Sequence, residues 1–182
     1  TLVETVCPTY YPLPYSDNSD SYKSGGDYMP ECWERFYSST TYKPYVNSSA
    51  KAGTTGNGFY IYASTSYSNY IVLPALEGKI GDLMMSFDYR SNNTSNDQYF
   101  LIAAATDVTS EETIEKTMTV IDTVKMPKYA DPNKVWYYYS NNLSAYTGEA
   151  GNIVFVAKGV NQKTYIDNIY IEKAPTCFRP IG

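Results

Sequence analysis

The chain reads as short alternations of apolar and polar residues separated by polar turns. Gly58 to Ala63 alternates with period two behind the turn residues Gly56-Asn57, and Asn69 to Leu73 follows and stops at Pro74. Leu83 to Tyr89 alternates again, and Tyr99 to Ala105 is an almost unbroken apolar run, the pattern of a central strand. Thr117 to Val124, Val135 to Ser140, Asn152 to Ala157 and Tyr165 to Ile171 complete the series. Successive side chains on a strand point to opposite faces, so these segments predict roughly eight to ten strands. Ser91 to Asp97 is almost pure Ser, Asn, Thr and Asp, a hairpin-loop composition. Helical patterning is nearly absent: only Thr109 to Lys116, with Ser110-Glu111-Glu112 behind Thr109, predicts a helical turn. A chain of strands without crossover helices argues against a parallel α/β fold. It predicts an all-β, two-sheet antiparallel jelly-roll sandwich with little or no helix.

The ends differ from this pattern. Pro8, Pro12 and Pro14 crowd the first residues, and the chain closes on Ala-Pro-Thr-Cys-Phe-Arg-Pro-Ile-Gly. We therefore expect an extended N-terminal arm at 1–12, a sandwich domain at 13–173 and a linker at 174–182 leading to a following domain. The 182 residues suffice for one domain with a proper core. With 14 basic residues against 19 acidic ones and no basic cluster, nucleic-acid binding is not expected. No apolar run is long enough to insert in a membrane. Tyr and Thr favour strands while Asn, Ser and Gly favour turns, a composition that reads as a secreted or cell-surface β protein. No apolar leader opens the chain, so any export signal is expected to have been removed.

Histidine is absent, which removes imidazole-based catalysis, imidazole metal sites and histidine proton shuttles. Three cysteines are present, Cys7, Cys32 and Cys177. A Cys7–Cys32 bridge would pin the arm to the start of the body; Cys7–Cys177, or three free thiols, are the alternatives. In Tyr165-Ile166-Asp167-Asn168-Ile169-Tyr170-Ile171, period two places Tyr165, Asp167, Ile169 and Ile171 on one face. That face carries the aliphatic bulk, so Asp167 is expected to aim at the core. A carboxylate there needs a partner, and outside the cell calcium is a natural one. Further oxygens would come from Ser16-Asp17-Asn18-Ser19-Asp20-Ser21, since first and last strands of sandwiches often lie side by side. The alternative is a half-exposed Asp167 and a solvated acidic turn.

Several segments, in order, resemble a known group of modules. Leu13 to Tyr22, reading LPYSDNSDSY, resembles the opening of jelly-roll domains found in large surface proteins of gut and oral anaerobes. These are related to the cleaved-adhesin domains of gingipains and to MAM-like and carbohydrate-binding jelly rolls. Met29-Pro30-Glu31-Cys32-Trp33, Leu73 to Leu76, Leu83 to Arg90, Ala104 to Thr109, Trp136, Ser144 to Gly148 and Tyr165 to Ile169 continue the resemblance over about 13–173. It implies a jelly roll, often with a structural calcium near the first and last strands. Carried over by position, the ligands are Asp20 and Asp167, with Asp17 standing where Glu is common. Ser19 departs from a core Phe and Asn168 from a second Asp.

Three functional readings follow. The first is a non-catalytic binding or adhesion module of a multi-domain protein, contacting a glycan or a host or extracellular protein. Its candidate ligand residues are Tyr60, Tyr62, Tyr137 and Tyr139. Tyr60 and Tyr62 alternate with Phe59, Ile61 and Ala63 and are expected to face outward; the resemblance gives Trp136 a core position, which implies that Tyr137 and Tyr139 face outward as well. The second is a spacer without a ligand. The third, a carbohydrate-active enzyme, needs two placed carboxylates. Glu31 with Glu34, or Asp82 with Asp88, could be nominated, although scattered surface acids explain them as well.

Overall fold

The computed structural model describes residues 6–26, 28–91, 97–126 and 135–176. Eleven strands are present among them: β1 Tyr15–Asp17, β2 Glu34–Tyr37, β3 Tyr45–Asn47, β4 Gly58–Ala63, β5 Asn69–Val72, β6 Leu83–Ser91, β7 Gln98–Ala105, β8 Thr119–Met126, β9 Tyr137–Asn142, β10 Asn152–Ala157 and β11 Gln162–Lys173. One α-helix, α1 Glu111–Thr117, lies between β7 and β8. Ser110 caps it: its hydroxyl accepts the Thr113 N–H while Thr113 accepts the Ser110 N–H, and Glu111 and Glu112 sit in the first turn. This capping exchange and the acidic first turn are why a segment this short holds a helical form. Because the helix extends to Thr117, β8 begins two residues later than the sequence pattern suggests.

The strands form two antiparallel sheets. One has the order β3-β4-β11-β6-β9, and the other β2-β5-β10-β7-β8. The first sheet is organised by β11. Its Gln162–Ile166 half pairs with β4 and its Ile169–Ile171 stretch with β1, while β6 runs along its other side. The beginning and end of the body are therefore neighbours, with Tyr15 opposite Ile171. This is the two-sheet antiparallel jelly roll that the alternation predicts.

Between the sheets lies one apolar core. Phe59 and Ile61 of β4, Met85 and Phe87 of β6, Phe100 and Ile102 of β7, Ile153 and Phe155 of β10, and Ile166, Ile169 and Ile171 of β11 all belong to it. Each large side chain removed from water here contributes about 2 kcal/mol. The second sheet is apolar on its outer face as well. Tyr70, Val72, Ala103, Ala105, Val154 and Val156 form a second cluster there under Ile114 of α1. This cover explains why Tyr99 to Ala105 reads as a continuous run rather than an alternation.

Two residues preceding β1, Cys7 and Tyr11, are tied to the body. Tyr11 exchanges backbone hydrogen bonds with Ala75 and Glu77, and Cys7 is bonded to Cys32. Of the pairings open in the sequence, the structure holds Cys7–Cys32; Cys177 lies outside the described residues. Closing a loop with a sequence separation of 25 removes conformational freedom from the unfolded chain. We expect a Cys7→Ser, Cys32→Ser double variant to lose about 3 kcal/mol of unfolding free energy in denaturant titrations. A Cys177→Ser variant should leave the Cys7–Cys32 bridge in place.

Candidate functional site

The sequence expectation for Asp167 is half met. It is buried, at 3% exposure, but it does not share a face with Ile169 and Ile171. The pairing of β11 with β6 shifts between Asp167 and Tyr170, and Asn168 adopts φ 53°. This bulge inserts one residue and reverses the alternation, so Thr164 and Ile166 point inward before it and Ile169 and Ile171 after it. Asp167 is thereby turned to the outer face. There its two carboxylate oxygens accept the N–H groups of Ala52 at 2.7 Å and Asn168 at 2.7 Å. Burial, with the carboxylates of Asp20 and Asp88 nearby, pushes its pKa from 3.8 up to about 6, against the lowering effect of the two N–H donors.

Asp20 and Asp167 are thus close enough to repel each other, while Asp17 belongs elsewhere. Asp20 is exposed and accepts the Asn57 N–H at 3.1 Å. The backbone of Gly56 passes so close that a Cβ there would lie 1.9 Å from its Oδ1, which makes glycine necessary at φ +90°. The Asp17 carboxylate is buried and takes the hydroxyls of Tyr22 at 2.8 Å and Tyr15 at 3.3 Å and the Ser19 N–H at 2.8 Å. Trp33 Nε1 donates in turn to the Tyr15 hydroxyl. Its oxygens are committed to a structural network, and burial pushes its pKa up. Among the described residues no three His, Cys, Asp or Glu side chains converge to hold a metal ion.

The tyrosines separate in the same way. Tyr60 and Tyr62 stand on the outer face of the first sheet, as the alternation of β4 requires. Tyr137 and Tyr139 do not face outward as expected. In the β6–β9 register Tyr139 is opposite Phe87 and Tyr138 opposite Asp88, and opposed residues share a face. Phe87 points into the core, so Tyr139 follows it. The rings stack at 4.6 Å, and the Tyr139 hydroxyl donates to Asp122 at 2.7 Å. Tyr137, 41% exposed, sits beside Tyr89 on that same side, and Tyr138 takes the outward position. Trp136 lies over the Arg90 guanidinium rather than in the core. β9 is three strands from β4, about 14 Å away.

Around Tyr60 and Tyr62 the structure gathers residues that strand alternation alone does not indicate. Thr41, Tyr42, Lys43, Tyr45 and Lys163 join them in lining a cleft of about 370 Å³. The Tyr42 and Tyr62 rings stack at 4.2 Å, Tyr45 meets Tyr60 edge-on at 5.1 Å, and Tyr165 supports Tyr60 from β11. Lys163 is opposite Tyr62 in the sheet, its ammonium 5.4 Å from the ring centre. Burial pushes the Tyr60 hydroxyl pKa up, which keeps it a protonated donor at neutral pH. The loop that brings Tyr42 and Tyr45 is fastened from below. Arg35 donates to the carbonyls of Gly26 and Pro44, and the fully buried Asn69 donates to the Tyr42 carbonyl while accepting the Tyr62 N–H. Two signals in the sequence point this way: tyrosines in an otherwise polar loop, and a lysine in the outward phase of the last strand.

The acids nominated for catalysis form no such site. Glu31 and Glu34 are both exposed, and Asp82 and Asp88 stand six residues apart along the chain into β6, roughly 20 Å. That exceeds the span of paired carboxylates in glycoside hydrolysis.

The fold belongs to a class shared by adhesin domains and carbohydrate-binding modules. No protein-family model matches the chain, and a search of curated proteins finds no match. Solved structures do match. The K2 cleaved adhesin domain of Lys-gingipain aligns with 86% of this chain and 98% of its own, at TM-score 0.64 and 13% identity. The K1 domain, from Porphyromonas gingivalis W83, aligns with 88% and 98% at TM-score 0.63 and 13% identity. A family 11 carbohydrate-binding module from Clostridium thermocellum, in complex with a β-1,3-1,4-mixed-linked tetrasaccharide, aligns with 86% and 98% at TM-score 0.51 and 17% identity. At these identities the likeness is one of fold.

The raised pKa of Asp167 has a direct consequence for stability. The folded chain holds this proton more tightly than the unfolded chain between pH 3.8 and about 6. With chelator present, unfolding free energy should therefore fall as pH rises through this interval. Asp167→Asn should make that slope shallower in urea titrations at stepped pH; Asp17, also pushed up by burial, contributes with the same sign, and Asp107 and Glu115, held low by their hydrogen-bond donors, with the opposite one.

Proposed function

We propose that the domain is a non-catalytic carbohydrate-binding module of an extracellular multi-domain protein and that the tyrosine cleft is its site. The observation that carries this reading is the fixed arrangement of Tyr42, Tyr45, Tyr60 and Tyr62 on one sheet face, tied to the scaffold by Asn69 and Arg35. Tyrosine offers a sugar an apolar ring surface and a polar tip with little freedom to lose on binding. The likeness in fold to adhesin domains and to a module complexed with a tetrasaccharide is consistent with this use. The disulfide suits an oxidising compartment. No helix among the described residues is long and apolar enough to cross a membrane.

We further propose a structural calcium at Asp20 and Asp167. Support comes from a buried carboxylate crowded by Asp20 and Asp88, a repulsion that a hard cation would relieve with oxygen donors of the right kind. Asp17 is not part of this set. On this reading calcium raises the melting temperature relative to chelator, by several degrees at millimolar excess, and Asp167→Asn abolishes the rise. Equal melting temperatures in the two conditions would remove the metal.

The binding reading is tested on a glycan array followed by calorimetry. Tyr60→Ala and Tyr62→Ala should each weaken the affinity for a captured glycan about tenfold or more, and Tyr138→Ala, on the far strand, should not. Absence of any bound glycan would favour a structural spacer.

A further inference from the structure

We infer that the cleft selects acidic saccharides, those bearing a carboxylate or a sulfate. This rests on the reading of the cleft as a glycan site and adds the class of sugar. An aromatic cleft alone would suit a neutral sugar face or an alkylammonium group. The charges around this one discriminate between them. The chain carries a net charge of −5, yet among the described residues the lining holds the Lys163 ammonium beside the tyrosines and no carboxylate.

Lys163 is placed by the sheet itself. It faces Tyr62 across the β4–β11 pair, so its stem follows the outer face and its ammonium stands over the Tyr62 ring. Among the described residues it forms no ion pair, whereas Lys79, Lys116 and Lys158 each meet a glutamate. A bound anion would therefore meet an ammonium already positioned and not engaged by an internal acid. The Lys163 ammonium opposes a cationic ligand, which separates this cleft from a cage for quaternary ammonium groups. The tyrosine rings and hydroxyls would hold the ring and hydroxyl groups of the sugar, and the lysine would read its acidic substituent.

The test compares polygalacturonate with its carboxyl-reduced counterpart, and a sulfated galactan with its desulfated counterpart, by calorimetry at low and high salt. At least one charged polymer should bind about tenfold tighter than its neutral counterpart, and the difference should shrink as salt screens the contact. The polymer that binds tells a carboxylate from a sulfate. Lys163→Gln, which keeps most of the side-chain stem, should remove that preference without shifting the melting temperature, and Lys163→Arg should retain it. Equal binding of charged and neutral polymers, or an unchanged preference in Lys163→Gln, would overturn the inference. If Tyr60→Ala still weakened such binding, the glycan site itself would stand. Binding of none of the four polymers would overturn the acidic preference, and a blank glycan array beside it would remove the site as well.

Discussion

The architecture depends on how β11 resolves a conflict between side-chain alternation and burial. A regular strand of its length would keep a single phase. Its two halves, however, each place aliphatic residues so that one would face out if the other faced in. The extra residue at Asn168 reconciles them. With the bulge in place, Ile166, Ile169 and Ile171 all enter the core. The same residue count sends Tyr165 and Asp167 outward and leaves room for β4 and β1 to share one side of the strand. The Lys163–Tyr62 pair, the crowded acid at Asp167 and the closure of the body by β1 all descend from that one local irregularity.

Polar groups buried beside the core fix what the apolar contacts leave free. A sandwich of alternating Ile, Val and Phe is tolerant of small slips, because apolar packing has no direction. Asn69 is directional: a strand of one sheet holds a loop carbonyl and a backbone N–H of the other. Asp17 does the same at the opposite end of the sheet, joining Tyr15, Tyr22 and, through Tyr15, Trp33. Leaving either set of partners unsatisfied would cost about 1–3 kcal/mol per buried group. Such ties convert a generally foldable pattern into one with defined loop positions.

The strands with clear alternation were legible in the sequence, and their extents agree with β4 to β7 and β10 closely. Three short strands were not: β1, β2 and β3 span three or four residues, too few for a period to emerge. The outward placement of Tyr60 and Tyr62 followed from their apolar neighbours on β4. The placement of Tyr137 and Tyr139 could not follow in that way. In Trp-Tyr-Tyr-Tyr both phases are aromatic, and only the register against Phe87 decides between them. Asp167 was legible as a buried acid but not as an outward one, because a bulge has no local sequence mark here apart from an Asn able to take a positive φ. Tyr42 reaches the cleft through tertiary contacts of a loop and Tyr45 through the three-residue strand β3 paired to β4, and no periodicity encodes either.

The bridge between Cys7 and Cys32 also determines the route of mechanical load. β1 meets β11 with Tyr15 beside Ile171, a geometry in which pulling the chain from both sides would peel the short strand away one hydrogen bond at a time. The sulfur link lies ahead of that weak point. Tension arriving through the residue before Cys7 crosses directly to Cys32, so β1, which lies between the two cysteines, is spared the force. A chain pulled at its two ends would thus keep its closing strand, and the acids beside it, in place under strain.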